Sequence, residues 1–255
     1  MAIKYNVNSC EILELLVDDA HKESFTEAEI KDFEAEIGAQ LPQSCRDFMK
    51  HEDDMHLLNM EGCCRFLSHN ILQEDLKEMQ EELADYEQED EPDEYYEVYS
   101  KLNKLPVEQW GQVTDNYLLL WNENQGIWHA GVLLSDLQAG VENPAVYIST
   151  EEDFISFRKE FNSVEDFLQA VMIGDSIGYR SDELIRGQEQ IKAALAKQGI
   201  DFAQLRVKHE YSSGRAFYMG NCILNQDTLY YYFENANDKK GRLIVAERGS
   251  RRTRH

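Results

Sequence analysis

The chain has 255 residues and carries 49 Asp and Glu against 25 Lys and Arg, a formal net charge of -24. Such a body repels nucleic acid and anionic membranes, and it draws basic proteins, whose association its field accelerates by roughly 10- to 10³-fold. Hydrophobic residues at 42%, with thirteen Tyr and eleven Phe, supply material for a packed core and exclude disorder through most of the chain.

The imbalance is uneven. From Lys239 to His255 seven bases (Lys239, Lys240, Arg242, Arg248, Arg251, Arg252, Arg254) face one acid, Glu247, so this tail is +6 and the preceding residues carry -30. The N-terminal sequence lacks the basic start, apolar stretch and small-residue cleavage site of a secretory signal. No window approaches the ~18 apolar residues of a membrane span. Five cysteines, an odd count with Cys63 and Cys64 adjacent, read as reduced thiols in a cytoplasm.

In chain order, a first helix is expected after Ser9, with Ile12, Leu13, Leu15, Leu16 and Val17 as its apolar stripe. A second follows Thr26, where Glu29 completes capping-box spacing and Ile30, Phe33 and Ile37 recur at helical intervals. Gly38 suits its left-handed end. Leu41-Pro42 opens the next element, a short helix after Ser44 with Cys45, Phe48 and Met49. Glu74 to Glu97 holds thirteen acids and one base, Lys77, interleaved with Tyr86, Tyr95 and Tyr96.

A strand-rich centre follows. Tyr117 to Trp121 and Ile127 to Leu134 read as a hairpin around Asn122 to Gly126. Asn143-Pro144 signals a turn before a strand at Val146 to Ser149, and Ser163 to Asp166 caps a helix with Phe167, Leu168, Val171 and Met172. After Gly174 the pattern predicts one amphipathic helix from Asp182 to Lys197, stopped at Gly199. Four short strands should follow, at Gln204 to His209, Ala216 to Met219, Thr228 to Phe233 and Leu243 to Ala246.

Motifs for chemistry are sparse. His51 and His56 lie five apart, which does not put them on one helical face, and adjacent Cys63 and Cys64 do not suit a compact zinc site. No GxSxG elbow or phosphate-binding loop occurs, so neither a metal, a cofactor nor catalysis is expected. Trp121 and Trp128 read as sheet packing. Phe33, Ile37, Leu41, Phe48, Phe167 and Leu168 read as core. The basic end from Arg248 to Arg254 is expected to associate with the acidic body rather than with nucleic acid.

Between Thr26 and Met172 the order of signals resembles the SMI1/KNR4 family, the SUKH superfamily. The opening match is Thr26-Glu-Ala-Glu-Ile30, Phe33-Glu34, Ile37-Gly38, Leu41-Pro42 and Phe48-Met49. The middle match is Leu120 to Gly126 with Trp128 and Leu137. The closing match is Asn143-Pro-Ala-Val-Tyr147, then Ser163-Val-Glu-Asp-Phe-Leu168. His51 to Met55 stands where the family often has an Asn-Gly turn, and the acidic insert is unusually long.

The resemblance implies an α+β fold: a mixed, largely antiparallel sheet flanked by helices over residues 1–174, carrying the acidic insert 74–97. Residues 175–255 would be a C-terminal α+β extension with a basic tail. It also implies a binding role, since many bacterial members look like immunity proteins that neutralise a toxin and fungal relatives are regulatory interaction proteins. The expected partner is a basic, nuclease-like protein toxin, with several cellular partners as the alternative and an enzyme site in the extension as a third reading. A carboxylate-rich segment can compete for a phosphate-binding groove through charge-assisted pairs with arginine. The candidate contacts are therefore Glu87, Glu89, Asp90, Glu91, Asp93, Glu94, Tyr95 and Tyr96, supported by Glu81, Glu82 and Asp85.

Overall fold

A computed structural model of the chain describes residues 3–5, 7–16, 25–51, 116–122, 128–150, 153–172, 183–205, 220–235 and 238–247. They gather into two compact units. One takes in the described parts of Met1–Ser24, Lys50–Glu61 and Glu165–His255, the other those of Phe25–Met49 and Gly62–Val164. Each holds one sheet with helices, an α+β architecture in which every described strand pair is antiparallel. No described helix is long and apolar enough to cross a membrane.

The second unit contains helices α2 (Glu27–Ile37) and α3 (Gln43–Lys50) and a four-stranded sheet. Its strands run in sequence order as a meander: β2 (Tyr117–Asn122), β3 (Trp128–Leu133), β4 (Val146–Thr150) and β5 (Asp153–Phe161). A short helix, α4 (Leu134–Gln138), follows β3 directly. The predicted strand through Leu134 therefore ends one residue early, where Leu134 N–H donates to Asn116 O at 2.9 Å. Trp121 is fully buried and stacks at 6.3 Å on half-buried Trp128, as sheet packing requires. Ile37, Leu41 and Phe48 are buried, whereas Phe33 is only half-buried. Strand β5 has no counterpart among the predicted elements.

The first unit holds β1 (Lys4–Tyr5), α1 (Ser9–Leu16), α5 (Val164–Val171), β6 (Glu183–Arg186) and α6 (Gln188–Lys197). After a 3-10 turn at Phe202–Gln204 come β7 (Gly220–Asn225), β8 (Thr228–Asn235) and β9 (Asp238–Glu247). Its sheet order is β1-β7-β8-β9-β6. One face packs on α6: Ile191 and Leu195, four residues apart, meet Ile223, Tyr230, Tyr232 and Leu243. The other face of the central strands is also buried, through Cys222, Tyr231, Phe233 and Ile244.

Several expectations are corrected here. The single helix from Asp182 is a strand followed by a helix, because Gly187 adopts φ +89° and Glu183 to Arg186 pair with β9. The strand expected from Gln204 begins instead as the 3-10 turn, whose Asp201 side chain accepts from Ala203 N–H at 2.9 Å. Residues 206–219, including the Ala216 to Met219 run, lie outside the described residues, and the strand found next is β7. Strands β8 and β9 run longer than predicted. Lys239, Lys240 and Arg242 therefore belong to a strand rather than to the basic tail.

Helix α1 is capped by Asn8 rather than Ser9. Asn8 Oδ1 accepts from Glu11 N–H at 2.9 Å, and Glu11 Oε2 accepts from Asn8 N–H at 3.1 Å. Ser9 is thereby released to make a long-range contact. Its N–H and hydroxyl both donate to the Glu165 carboxylate of α5, the latter at 2.6 Å. Gln169 Nε2 donates to Glu165 at 2.8 Å and to Val7 O at 3.1 Å. Ser9 and Gln169 are buried, so these groups have no water to fall back on. Glu165→Ala should cost about 2 kcal/mol of stability, read as a lowered urea midpoint at unchanged m-value.

Candidate partner surface

Helix α2, held by α3, carries one acidic stretch of the described surface. Thr26 and Glu29 cap α2 reciprocally: Thr26 Oγ1 accepts from Glu29 N–H at 3.3 Å, and Glu29 Oε2 accepts from Thr26 N–H and hydroxyl, each at 2.8 Å. These donors hold the Glu29 carboxyl below its ordinary range. Gly38 closes the helix in the left-handed region at φ 66°.

Ile30 and Ile37 turn inward, while Glu27, Glu29, Asp32 and Glu36 are exposed. Arg46, from α3, reaches back to both Glu27 and Glu34, and Glu34 also accepts from Leu41 N–H at 2.8 Å. The Glu34 hydrogen bond is the largest influence raising the Arg46 pKa, with the charges of Glu34 and Glu27 adding to it. Arg46 thus neutralises Glu27 and Glu34 and fixes the α2–α3 turn. Asp32 and Glu36 have no ion-pair partner among the described residues. The helix presents their charge outward, where a guanidinium or ammonium group can be taken by charge-assisted hydrogen bonds.

The sheet of this unit adds an aromatic cluster. Tyr117 stacks on Phe157 at 4.3 Å and meets Tyr147 edge-on at 5.6 Å, all three half-buried. Burial, with a smaller effect of Tyr147, pushes the Tyr117 phenol up. Lys159 stands opposite Tyr147 in the register, so this patch is not acidic. It offers contact area of the kind that anchors interfaces.

The eleven candidate contacts, Glu81, Glu82, Asp85, Glu87, Glu89, Asp90, Glu91, Asp93, Glu94, Tyr95 and Tyr96, all lie outside the described residues. So do His56, Cys63, Cys64 and Arg248 to Arg254. Among the described residues no three His, Cys, Asp or Glu converge as a metal site would need. Asp32 and Glu36 were not singled out from the sequence. Their signal is present in the acid-rich outer positions of α2, but in a chain with 49 acids it does not stand out.

A sequence model of the SMI1/KNR4 family (SUKH-1) matches residues 24–170, more than half of the chain. The chain belongs to the SMI1/KNR4 family. The match runs from the capping box of α2 through the four-stranded sheet into α5, so the SMI1/KNR4 region includes the acidic helix, the aromatic cluster and the insert. It stops before β6, α6 and strands β7 to β9. Neither a curated protein nor a solved structure matches the chain.

Proposed function

We propose that this SMI1/KNR4 protein is an immunity-type binder that neutralises a basic, nuclease-like toxin domain by covering it, without chemistry of its own. The observation that carries the proposal is the family match over residues 24–170 in a chain of net charge -24. The outward carboxylates of α2 and the acids of residues 74–97 give the surface a sign that suits a phosphate-binding groove. Carboxylates placed against the arginines of such a groove displace its nucleic acid and steer the encounter. Residues 175–255 are taken as an extension beyond this binding region, and a cytoplasmic site of action follows from the same reading.

The test begins with the neighbouring open reading frames, where the proposal expects a polypeptide ending in a basic domain. With that domain purified, association should slow by at least about tenfold between low and physiological salt. Joint reversal of Glu89, Asp90 and Glu91 to Lys should weaken binding by about a hundredfold while thermal unfolding stays unchanged. An affinity indifferent to the triple reversal removes the insert from the interface. Several weak cellular partners in place of one tight complex would favour a regulatory scaffold instead.

A further inference from the structure

Two arginines stand side by side in the sheet of the first unit. Arg186, the last residue of β6, pairs directly with Arg242 of β9, so both side chains leave the same face of the sheet, with Cβ atoms about 5 Å apart. Arg186 is exposed and Arg242 is half-buried. Leu184, two residues earlier on the same face of β6, is 41% exposed, so this face of the strand is open to solvent. Like charges directly opposite one another destabilise a sheet. The chain has 49 acids that could relieve them, yet neither guanidinium has a carboxylate partner among the described residues.

The pair is also held in place. The Arg242 guanidinium lies over the Phe233 ring, 6.0 Å from its centre, a cation–π contact that restricts the side chain. Phe233 is buried and stacks on buried Tyr231 at 5.6 Å, so the ring beneath Arg242 is fixed. Just past the arginines, Gly187 N–H donates to Gly241 O at 3.4 Å and carries the β6–β9 contact beyond them. Here a local rule of sheet pairing is broken on rigid strands, with no compensating contact among the described residues. Such violations gather where a protein keeps groups for a ligand.

We propose that Arg186 and Arg242 bind the phosphate group of a small molecule. The two guanidinium groups carry two positive charges. A carboxylate returns only one negative charge, whereas a phosphate group carries about two near neutral pH and has three acceptor oxygens to share between two forks. Arginine presents a planar fork that matches this geometry, where lysine offers only a point charge. A nucleic acid is the wrong kind of anion, because a net charge of -24 repels a long polyanion, while a small phosphate needs only the local pair.

Bound phosphate exchanges a repulsion between opposite residues for two attractive contacts. A ligand that binds the folded chain and not the unfolded one stabilises it, so occupancy is read from unfolding. Chloride screens the two arginines but cannot bridge them. The inference does not rest on the toxin-binding reading, which uses neither arginine.

Thermal unfolding of the full chain, with sodium phosphate titrated against sodium chloride at matched ionic strength, provides the test, and calorimetric titration of phosphate gives the affinity. Phosphate should raise the melting temperature and chloride should not, with a dissociation constant of about 1 mM or below. Arg186→Gln and Arg242→Gln should each weaken phosphate binding at least about tenfold. In phosphate-free buffer Arg186→Gln should melt at or above the parent temperature, because it removes a like charge, whereas loss of a merely structural arginine would lower it. Arg186→Lys keeps the charge without the fork and should bind phosphate about threefold more weakly than the parent. Adenosine monophosphate distinguishes the source of the phosphate: binding at least about tenfold tighter than inorganic phosphate assigns a nucleotide, and equal affinity assigns phosphate itself. A parent chain indifferent to phosphate overturns the proposal, as does a response that chloride reproduces or that both glutamine variants retain.

Discussion

Replacing Gly241 by alanine is expected to cost about 3 kcal/mol, from two separate physical sources. The first is the backbone: Gly241 sits at φ +69°, where a side chain costs about 1–2 kcal/mol. The second is space. A Cβ at this position would lie 2.6 Å from Tyr232 Oη and 2.7 Å from a carbon of its ring. That ring is buried and held edge-on by Phe202 at 5.2 Å, so moving it disturbs the core shared with α6. Overpacking of this kind costs about 1–3 kcal/mol. The register slips between Phe233 and Asn235, and the irregularity in β9 needs the freedom of glycine. A double-mutant cycle with Tyr232→Leu separates the two sources in urea unfolding. The steric part should vanish in the Leu background, leaving only about 1–2 kcal/mol for Gly241→Ala.

Local signals were legible in the sequence, and long-range ones were not. The box of Thr26 and Glu29 and the left-handed Gly38 are decided within a few residues, and both stand where the pattern puts them. The Ser9 assignment missed by one residue. Asn8 and Ser9 are both good caps, and the choice was made by Glu165, 156 residues away. Strand β6 read as helix because Leu184 and Ile185 fit the apolar spacing of Ile191 and Leu195. Its strand character comes from β9, and β9 is distant in the chain. Strand β5 escaped for a related reason: Arg158, Lys159 and Glu160 blur its alternation, and only its register with β4 defines it. Of the candidate surface, the charge was legible as composition. The unpaired acids of α2 emerged only once Arg46 was seen to neutralise Glu27 and Glu34.

The buried histidine of the four-stranded sheet should make stability fall steeply in mild acid. His129 is 1% exposed in the middle of the sheet, opposite Ser149 on β4, whose hydroxyl makes no hydrogen bond among the described residues. Burial pushes the His129 pKa down from 6.5 to about 4. Above pH 6.5 the imidazole is neutral in both states and adds no pH dependence. Below it the unfolded chain takes up a proton that the folded chain refuses until about pH 4, so stability decreases with falling pH across this window. At about 1.4 kcal/mol per pH unit the loss reaches about 3 kcal/mol. The 49 acids change the pH profile as well, because their protonation relieves the repulsion within a body of net charge -24. His129→Leu isolates the histidine, since it leaves those groups in place and fills the site with an uncharged side chain. The difference in urea-unfolding free energy between the parent and His129→Leu should stay constant from pH 8 to 6.5, then shift by about 3 kcal/mol in favour of the variant by pH 4. Parallel profiles across that window would mean that the folded sheet admits a charged imidazole, contrary to its desolvation between β2 and β4.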